Sequence, residues 1–188
     1  LGIKTLWLMP IHPSSSYHGY DVADYYAVNM DYGKMADFES LVNAAKERGM
    51  DIMLDLVVNH SGTLNRWFTQ SYEDYISGKT GEDSKANWYN WRDTSAASYH
   101  KWKNAYYEGS FNASMPDLNL DCQELRNELE NVIKFWLDKG VMGFRLDAVK
   151  YYYLDENYMP SDLVNINLTY CMWIIMWKWV KFKVKIFL

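Results

Sequence analysis

Arg145 and Asp147 stand two residues apart in the apolar run 141–149, and Asp55 sits inside a second such run, 51–58. In an extended strand, residues two apart project from the same face, so the Arg145 guanidinium can reach the Asp147 carboxylate. Asp55 can bond the same guanidinium from a neighbouring strand. A carboxylate inside an apolar strand is costly unless it is paired or hydrogen-bonded. An Asp kept ionised by an adjacent Arg is also suited to nucleophilic attack. Asn59 and His60 follow the second run, and His12 follows a third, 3–9. Two readings stay open: a buried structural ion pair, or a chemical site in which Asp, Arg, His and Asn converge on one rim.

The elements that would hold these residues follow a repeated order of amphipathic helix, glycine and apolar strand. Helix 35–48 places Phe38, Leu41, Val42 and Ala45 on one face, and Gly49 ends it before strand 51–58. A second helix begins at Asp121 as N-cap, with Glu124 three residues on. It buries Leu125, Leu129, Val132, Ile133 and Trp136, and Gly140 closes it before strand 141–149. Near-continuous apolar strands alternating with helices predict a parallel sheet covered on both faces. In such folds the chemistry gathers beyond the carboxyl ends of the strands, where the polar residues above fall. Between His60 and Met115 lies a long stretch rich in Tyr, Trp, Asn, Ser and Gly, which reads as a small irregular inserted subdomain.

Composition narrows the function. At 188 residues, 49% hydrophobic and 23% charged, the chain has the apolar content for a sizeable core. A net charge of −5 argues against a nucleic-acid-binding surface. Aromatic residues make up 17%, and large rings with polar tips suit wet clefts as well as cores. Cys122 and Cys171 have no metal spacing and support no disulfide framework. The four histidines, His12, His18, His60 and His100, lack zinc spacing, and no GxGxxG, P-loop or GxSxG motif is present. A retaining glycosidase needs a nucleophilic carboxylate and a second acid roughly 5 Å away. No second strand end offers one, because Asp155 and Glu156 fall in a loop and are expected to be solvated.

Taken together, these segments resemble the α-amylase family of glycoside hydrolases, family 13. Asp55-Leu56-Val57-Val58-Asn59-His60 is similar to the family's DxxxNH segment, and Gly143-Phe144-Arg145-Leu146-Asp147 to its GFRxD segment. Met115-Pro116-Asp117-Leu118-Asn119 resembles the short motif near the end of the inserted domain. Leu6-Trp7-Leu8-Met9-Pro10, with His18-Gly19-Tyr20-Asp21-Val22-Ala23-Asp24-Tyr25-Tyr26, resembles the second strand and its loop. The four occur in family order and cover about residues 1–155.

The resemblance implies an α/β chain, part of a (β/α)8 TIM barrel, with an irregular domain B inserted after the third barrel strand. It divides the chain into barrel segment 1–61, domain B 62–115, barrel segment 116–160 and an atypical tail 161–188. It implies Asp147 as the nucleophile, Arg145 as the residue that orients it, and Asp55 as a supporting partner of Arg145. Tyr20 and His60 would contact the sugar, by stacking and by hydrogen bonding, with Asp21 and Lys150 as further substrate-binding residues. Tyr151 stands where many members carry His. Asn59 resembles a calcium ligand of many members, an oxygen donor of the kind Ca²⁺ takes; no other cofactor is implied. The implied partner is an α-glucan or oligosaccharide, with neither nucleic acid nor membrane.

The family's general acid, a Glu after the fifth strand, has no counterpart here, nor have the first strand and the fifth to eighth. The chain therefore reads as about a third of an enzyme, with no indication of compartment, and is expected to be inactive alone. Residues 163–188 contain three Trp, four Lys and no acid, and 180–186 alternate like an amphipathic strand. Lys178 and Lys181 argue against a membrane helix, and the tail is expected to be a frameshifted or misassembled reading of the gene. The expected activity of an intact parent is retaining hydrolysis of α-glucosidic bonds. The alternatives are an α-glucosidase or oligo-1,6-glucosidase of the same family, or a product that only binds carbohydrate.

Overall fold

The computed structural model describes residues 2–152 and 185–187. Three parallel strands, β1 (Thr5–Leu8), β2 (Asp51–Leu56) and a third at Gly143–Leu146, lie side by side in that order. Each pair is joined through a helix: α1 (Met35–Glu47) precedes β2, and a helix at Gln123–Asp138 precedes the third strand. Between β2 and that helix lie α2 (Arg66–Ser77) and a separate antiparallel sheet of β3 (Trp91–Arg92), β4 (Tyr99–Trp102) and β5 (Ala105–Glu108), in the order β3-β5-β4. The Gln123–Asp138 helix is therefore α3 and the Gly143–Leu146 strand β6. A last strand, β7 (Lys185–Phe187), pairs parallel to β6 and completes a four-stranded sheet.

The alternation of side chains along the strands divides the sheet. Ile52, Leu54 and Leu56 of β2 and Phe144 and Leu146 of β6 are buried in one hydrophobic core with Phe38, Val42 and Ala45 of α1 and the apolar stripe of α3. Trp136 sits at its centre, edge-on to Phe38 at 5.2 Å, and its indole N–H donates to the Tyr25 carbonyl at 2.8 Å. The other set, Trp7, Met53, Asp55 and Arg145, points the opposite way. Trp7 is 49% exposed there, so among the described residues coverage of both faces is not what is seen.

Three local expectations need correction. Leu41 is 41% exposed, because α1 buries the narrower stripe of Phe38, Val42 and Ala45 and leaves Leu41 at its flank. The cap of α3 is Cys122, one residue later than Asp121, because the Asn119 side chain accepts the Asp121 N–H and holds that residue in the preceding turn. The strands are also shorter than their apolar runs. Gly140, at φ 92°, ends α3 as expected; a Cβ there would lie 2.9 Å from Val42, so only glycine lets the two helices approach.

The insertion is more regular than its composition suggests. Phe68 of α2 is fully buried, with the rings of Tyr89, Trp91, Trp102 and Tyr107 4.9–5.3 Å away. Much of the aromatic content is thus the core of this small unit and not a sugar-facing surface. Its two ends are stitched together: Ser61 N donates to Pro116 O, Leu118 N to Asn59 O and Asn119 N to Trp88 O. The Met115–Asn119 motif is the returning strand of that seam. Asp155, Glu156, Cys171 and nearly all of the tail 161–188 lie outside the described residues. β7 falls at the end of the alternating segment. No helix among the described residues is long and apolar enough to cross a membrane.

Candidate active site

Asp55 and Arg145 are paired across β2 and β6 by strand register. Arg145 Nη1 donates to both Asp55 oxygens at 3.0 Å and to Asp147 Oδ1 at 2.8 Å. One cation thus holds two carboxylates. Asp55 is 1% exposed, whereas the Asp147 side chain keeps 17% of its surface. The buried carboxylate anchors the guanidinium and the more open one faces the cleft. Burial pushes the Asp55 carboxyl up to about 6, against the pull of Arg145, and the Asp147 charge adds to that rise.

Backbone geometry fixes where Asp147 emerges. β6 ends at Leu146, Asp147 N donates to Leu56 O at 3.1 Å, and Ala148 takes a left-handed conformation at φ 54°. An alanine pays for that conformation, and such strain gathers where the chain must turn sharply at a site. The turn Val149–Tyr151 follows and contains Lys150, whose side chain the structure does not describe.

Tyr20 comes from the loop between β1 and α1. Its hydroxyl donates to Asp55 Oδ2 at 3.2 Å and accepts from Arg145 Nη1 at 3.3 Å. The ring is therefore tied to the ion-paired centre through its polar tip. His60 is buried after β2, and the Asn59 amide lies 3.4 Å from its Nδ1. Among the described residues its Nε2 is buried with no partner at full hydrogen-bond geometry, and the Tyr20 backbone is the hydrogen-bonding group that favours its protonation. Burial lowers the His60 pKa to about 4 although Asp147 opposes this, so near neutral pH the ring is uncharged. With Asn59 donating to Nδ1, the proton resides on Nε2, within reach of the Tyr20 backbone and of the Asp147 charge.

Two of the sequence candidates face elsewhere. Asp21 is buried and its carboxylate is taken up by the Ser14, Ser15 and Ser16 hydroxyls. Burial would raise its pKa, but those hydrogen bonds prevail and hold it at about 2. His12 is buried edge-on to Trp136 at 5.3 Å, with Nδ1 donating to Ala27 O at 3.2 Å. It braces the core and does not join the rim. Phe111 was not singled out from the sequence, yet its ring lies 5.1 Å from His60 and 4.8 Å from Tyr151 and stays half-exposed. Only its position five residues before the Pro116-Asp117 seam could have flagged it.

A cavity of about 350 Å³ opens between the end of β2 and the insertion, lined by Asn59, Asn90, Glu108, Asp117 and the turn at Tyr151. Ser110 donates to Asp117 Oδ2 from its backbone at 2.9 Å and from its hydroxyl at 2.5 Å, while Asp117 Oδ1 is buried without a partner among the described residues.

Comparison with known proteins points to one family. The family described as alpha amylase, catalytic domain, matches residues 1–172. Alpha-amylase 3 of Dictyoglomus thermophilum is 44% identical over 164 residues, 84% of this chain and 31% of that protein. Maltase A1 of Drosophila melanogaster is 40% identical over 190 residues, 91% of this chain and 33% of that protein. Among solved structures, Amy13B of Eubacterium rectale superposes with a TM-score of 0.81 at 36% identity, covering 98% of this chain and 36% of that one. The chain spans about a third of the length of the curated relatives it matches.

Proposed function

The chain belongs to the α-amylase catalytic-domain family, and from that membership we propose that it forms part of a retaining glycoside hydrolase acting on α-glucosidic bonds in starch, maltodextrins or related oligosaccharides. The observation that carries this reading is the shared Arg145 nitrogen, which among the described residues leaves one oxygen of the more open Asp147 without a hydrogen bond, its charge felt by the His60 ring. Asp147 would attack the anomeric carbon and form a covalent glycosyl intermediate as the leaving oxygen departs. Water would then release the sugar with its configuration retained. Arg145 aims Asp147 through the Nη1–Oδ1 hydrogen bond. His60 Nε2–H would bind a hydroxyl of the same sugar, while Tyr20 and Phe111 present rings to it.

Protonation of the leaving oxygen needs a second carboxylic acid. Within the described network the other carboxylate is Asp55, whose oxygens are engaged by Arg145 and Tyr20. The chain by itself is therefore proposed to bind saccharide without turning it over. Relatives named maltase and oligo-1,6-glucosidase match at 40% and 36% identity, close to the 44% of the amylase. The reading accordingly stays at the α-glucosidic bond and not at one linkage. Under it, the unit at residues 62–115 is domain B, inserted after the third barrel strand, between barrel segments 1–61 and 116–160.

No group of three or more His, Cys, Asp or Glu side chains among the described residues could hold a metal ion, so calcium is proposed at the cavity lined by Asn59 and Asp117 on amide and carboxylate oxygens together. The partnerless Asp117 Oδ1 and the Asn59 side chain supply oxygen donors of the kind a hard cation takes. The ion would tie the seam of domain B to the end of β2. Lys150 remains a proposed substrate contact through the family resemblance alone, whereas both Asp21 oxygens are taken up by the Ser14–Ser16 loop.

Calorimetric titration with maltoheptaose tests the reading. Binding that His60→Ala and Tyr20→Phe each weaken supports it; no binding at millimolar saccharide overturns it.

A further inference from the structure

The loop joining β1 to α1 is braced far more than a connection requires. Asp21 gathers the three serine hydroxyls and the Ser15 N–H at 3.1 Å. Ser16 Oγ accepts the Gly19 N–H at 3.3 Å, His18 Nδ1 accepts the Tyr20 N–H at 3.1 Å, and Ser14 bridges to Val22. Gly19 sits at φ 80° against Pro10, where a Cβ would lie 2.9 Å from the Pro10 carbonyl oxygen. A loop already ordered in this way pays little entropy when a ligand settles on it.

Three rings stand in file on that bracket. Tyr20 touches the Asp55–Arg145 centre through its hydroxyl. The His18 ring lies 5.9 Å from Tyr20, and the Tyr17 ring lies 5.3 Å from His18, edge-on. Each step is about the span of one hexose. Tyr17 is 96% exposed, and among the described residues its one ring contact is His18. The fold thus holds a large amphipathic ring in water on the hydrogen-bonded loop that also carries Tyr20.

Resting on the saccharide reading above, we propose that Tyr17 is the stacking platform of an outer subsite, which receives a further glucosyl unit of an α-glucan beyond the one held between Tyr20 and His60. His18 fixes the edge of the platform. With Nδ1 accepting the Tyr20 N–H, Nε2 is the ring nitrogen that carries the hydrogen, a donor for a hydroxyl of the bridging unit.

The test compares glucose and maltoheptaose binding to the chain by NMR titration, for wild type, Tyr17→Ala and Tyr17→Phe. Wild type is expected to bind maltoheptaose more tightly than glucose. Tyr17→Ala should weaken maltoheptaose by about 5–10-fold, the scale of one aromatic stacking contact, and leave glucose within about twofold. Tyr17→Phe should keep the wild-type preference. All three should melt at the same temperature, because the ring supports no packing. If Tyr17→Ala leaves maltoheptaose unchanged, or weakens both sugars equally, the platform is overturned while the site reading stands. A wild-type chain that binds neither sugar overturns both.

Discussion

Arg145 meets Asp55 through one nitrogen, Nη1, 3.0 Å from each carboxylate oxygen, at paired positions on adjacent strands. That nitrogen also serves Asp147 at 2.8 Å, so the cleft carboxylate is positioned by a cation whose other anchor is buried. Orientation of Asp147 therefore depends on the sheet and not on the loop after β6.

Removing the cation should cost stability before it costs anything else. Arg145→Met leaves Asp55 buried without its partner and is expected to lower unfolding free energy by about 3 kcal/mol in urea titration. The double variant with Asp55→Asn should recover much of that loss, since the uncompensated charge is gone. A single variant as stable as wild type would show that solvent reaches Asp55 and compensates it.

Asp147→Asn should behave oppositely. The side chain is partly open and Arg145 remains anchored by Asp55, so a stability change below about 1 kcal/mol is expected. In a polypeptide that supplies the rest of the barrel, turnover of maltooligosaccharide should fall at least ~10⁴-fold, the scale on which loss of a reacting side chain acts, with binding retained. Wild-type rates there would remove Asp147 from the nucleophile role.

Acid should act on the fold in two stages. His12 titrates near 4 in the folded chain, chiefly because it is buried, and near 6.5 once unfolded. It stabilises above pH 6.5, and that contribution is lost as pH falls from 6.5 towards 4. Asp21, held at about 2 by its serines against burial, stabilises above its unfolded value of 3.8 and loses that contribution between 4 and 2. Asp55 runs the other way: raised to about 6, chiefly by burial, it favours the fold most below 3.8 and least above 6. His60, also lowered to about 4 by burial, contributes to the same upper stage, so melting temperatures across pH 2–8 should show His12→Gln and His60→Gln each reducing that stage and Asp21→Asn flattening the lower.

Calcium should raise the melting temperature if Asp117 and Asn59 hold it. At a hundredfold excess over Kd the gain is about 2.7 kcal/mol. Asp117→Asn should abolish the shift without changing the melt in EDTA by a comparable amount. A shift that survives the substitution would place the ion elsewhere.

The apolar runs, the terminating glycines and the two-residue spacing of Arg145 and Asp147 made the parallel strands and their ion pair readable directly from sequence. Burial periodicity is local, and so is the rule that alternate residues share a face. The stripe of α3 was legible for the same reason. Leu41 and the α3 cap were not, because the width of a buried stripe depends on what packs against it, and the cap depends on the Asn119 side chain. His12 and Asp21 show the larger limit. Both lie beside the right motifs, and only the fold decides that one turns into the core against Trp136 and the other into three serines. The same holds for Phe111 and Tyr17, whose contact with His60 and near-full exposure arise from where the loops land. Residue type and spacing determined the chemistry available to this chain. Tertiary packing decided which polar groups remain unpaired and open to a ligand, because that depends on contacts between residues far apart in sequence.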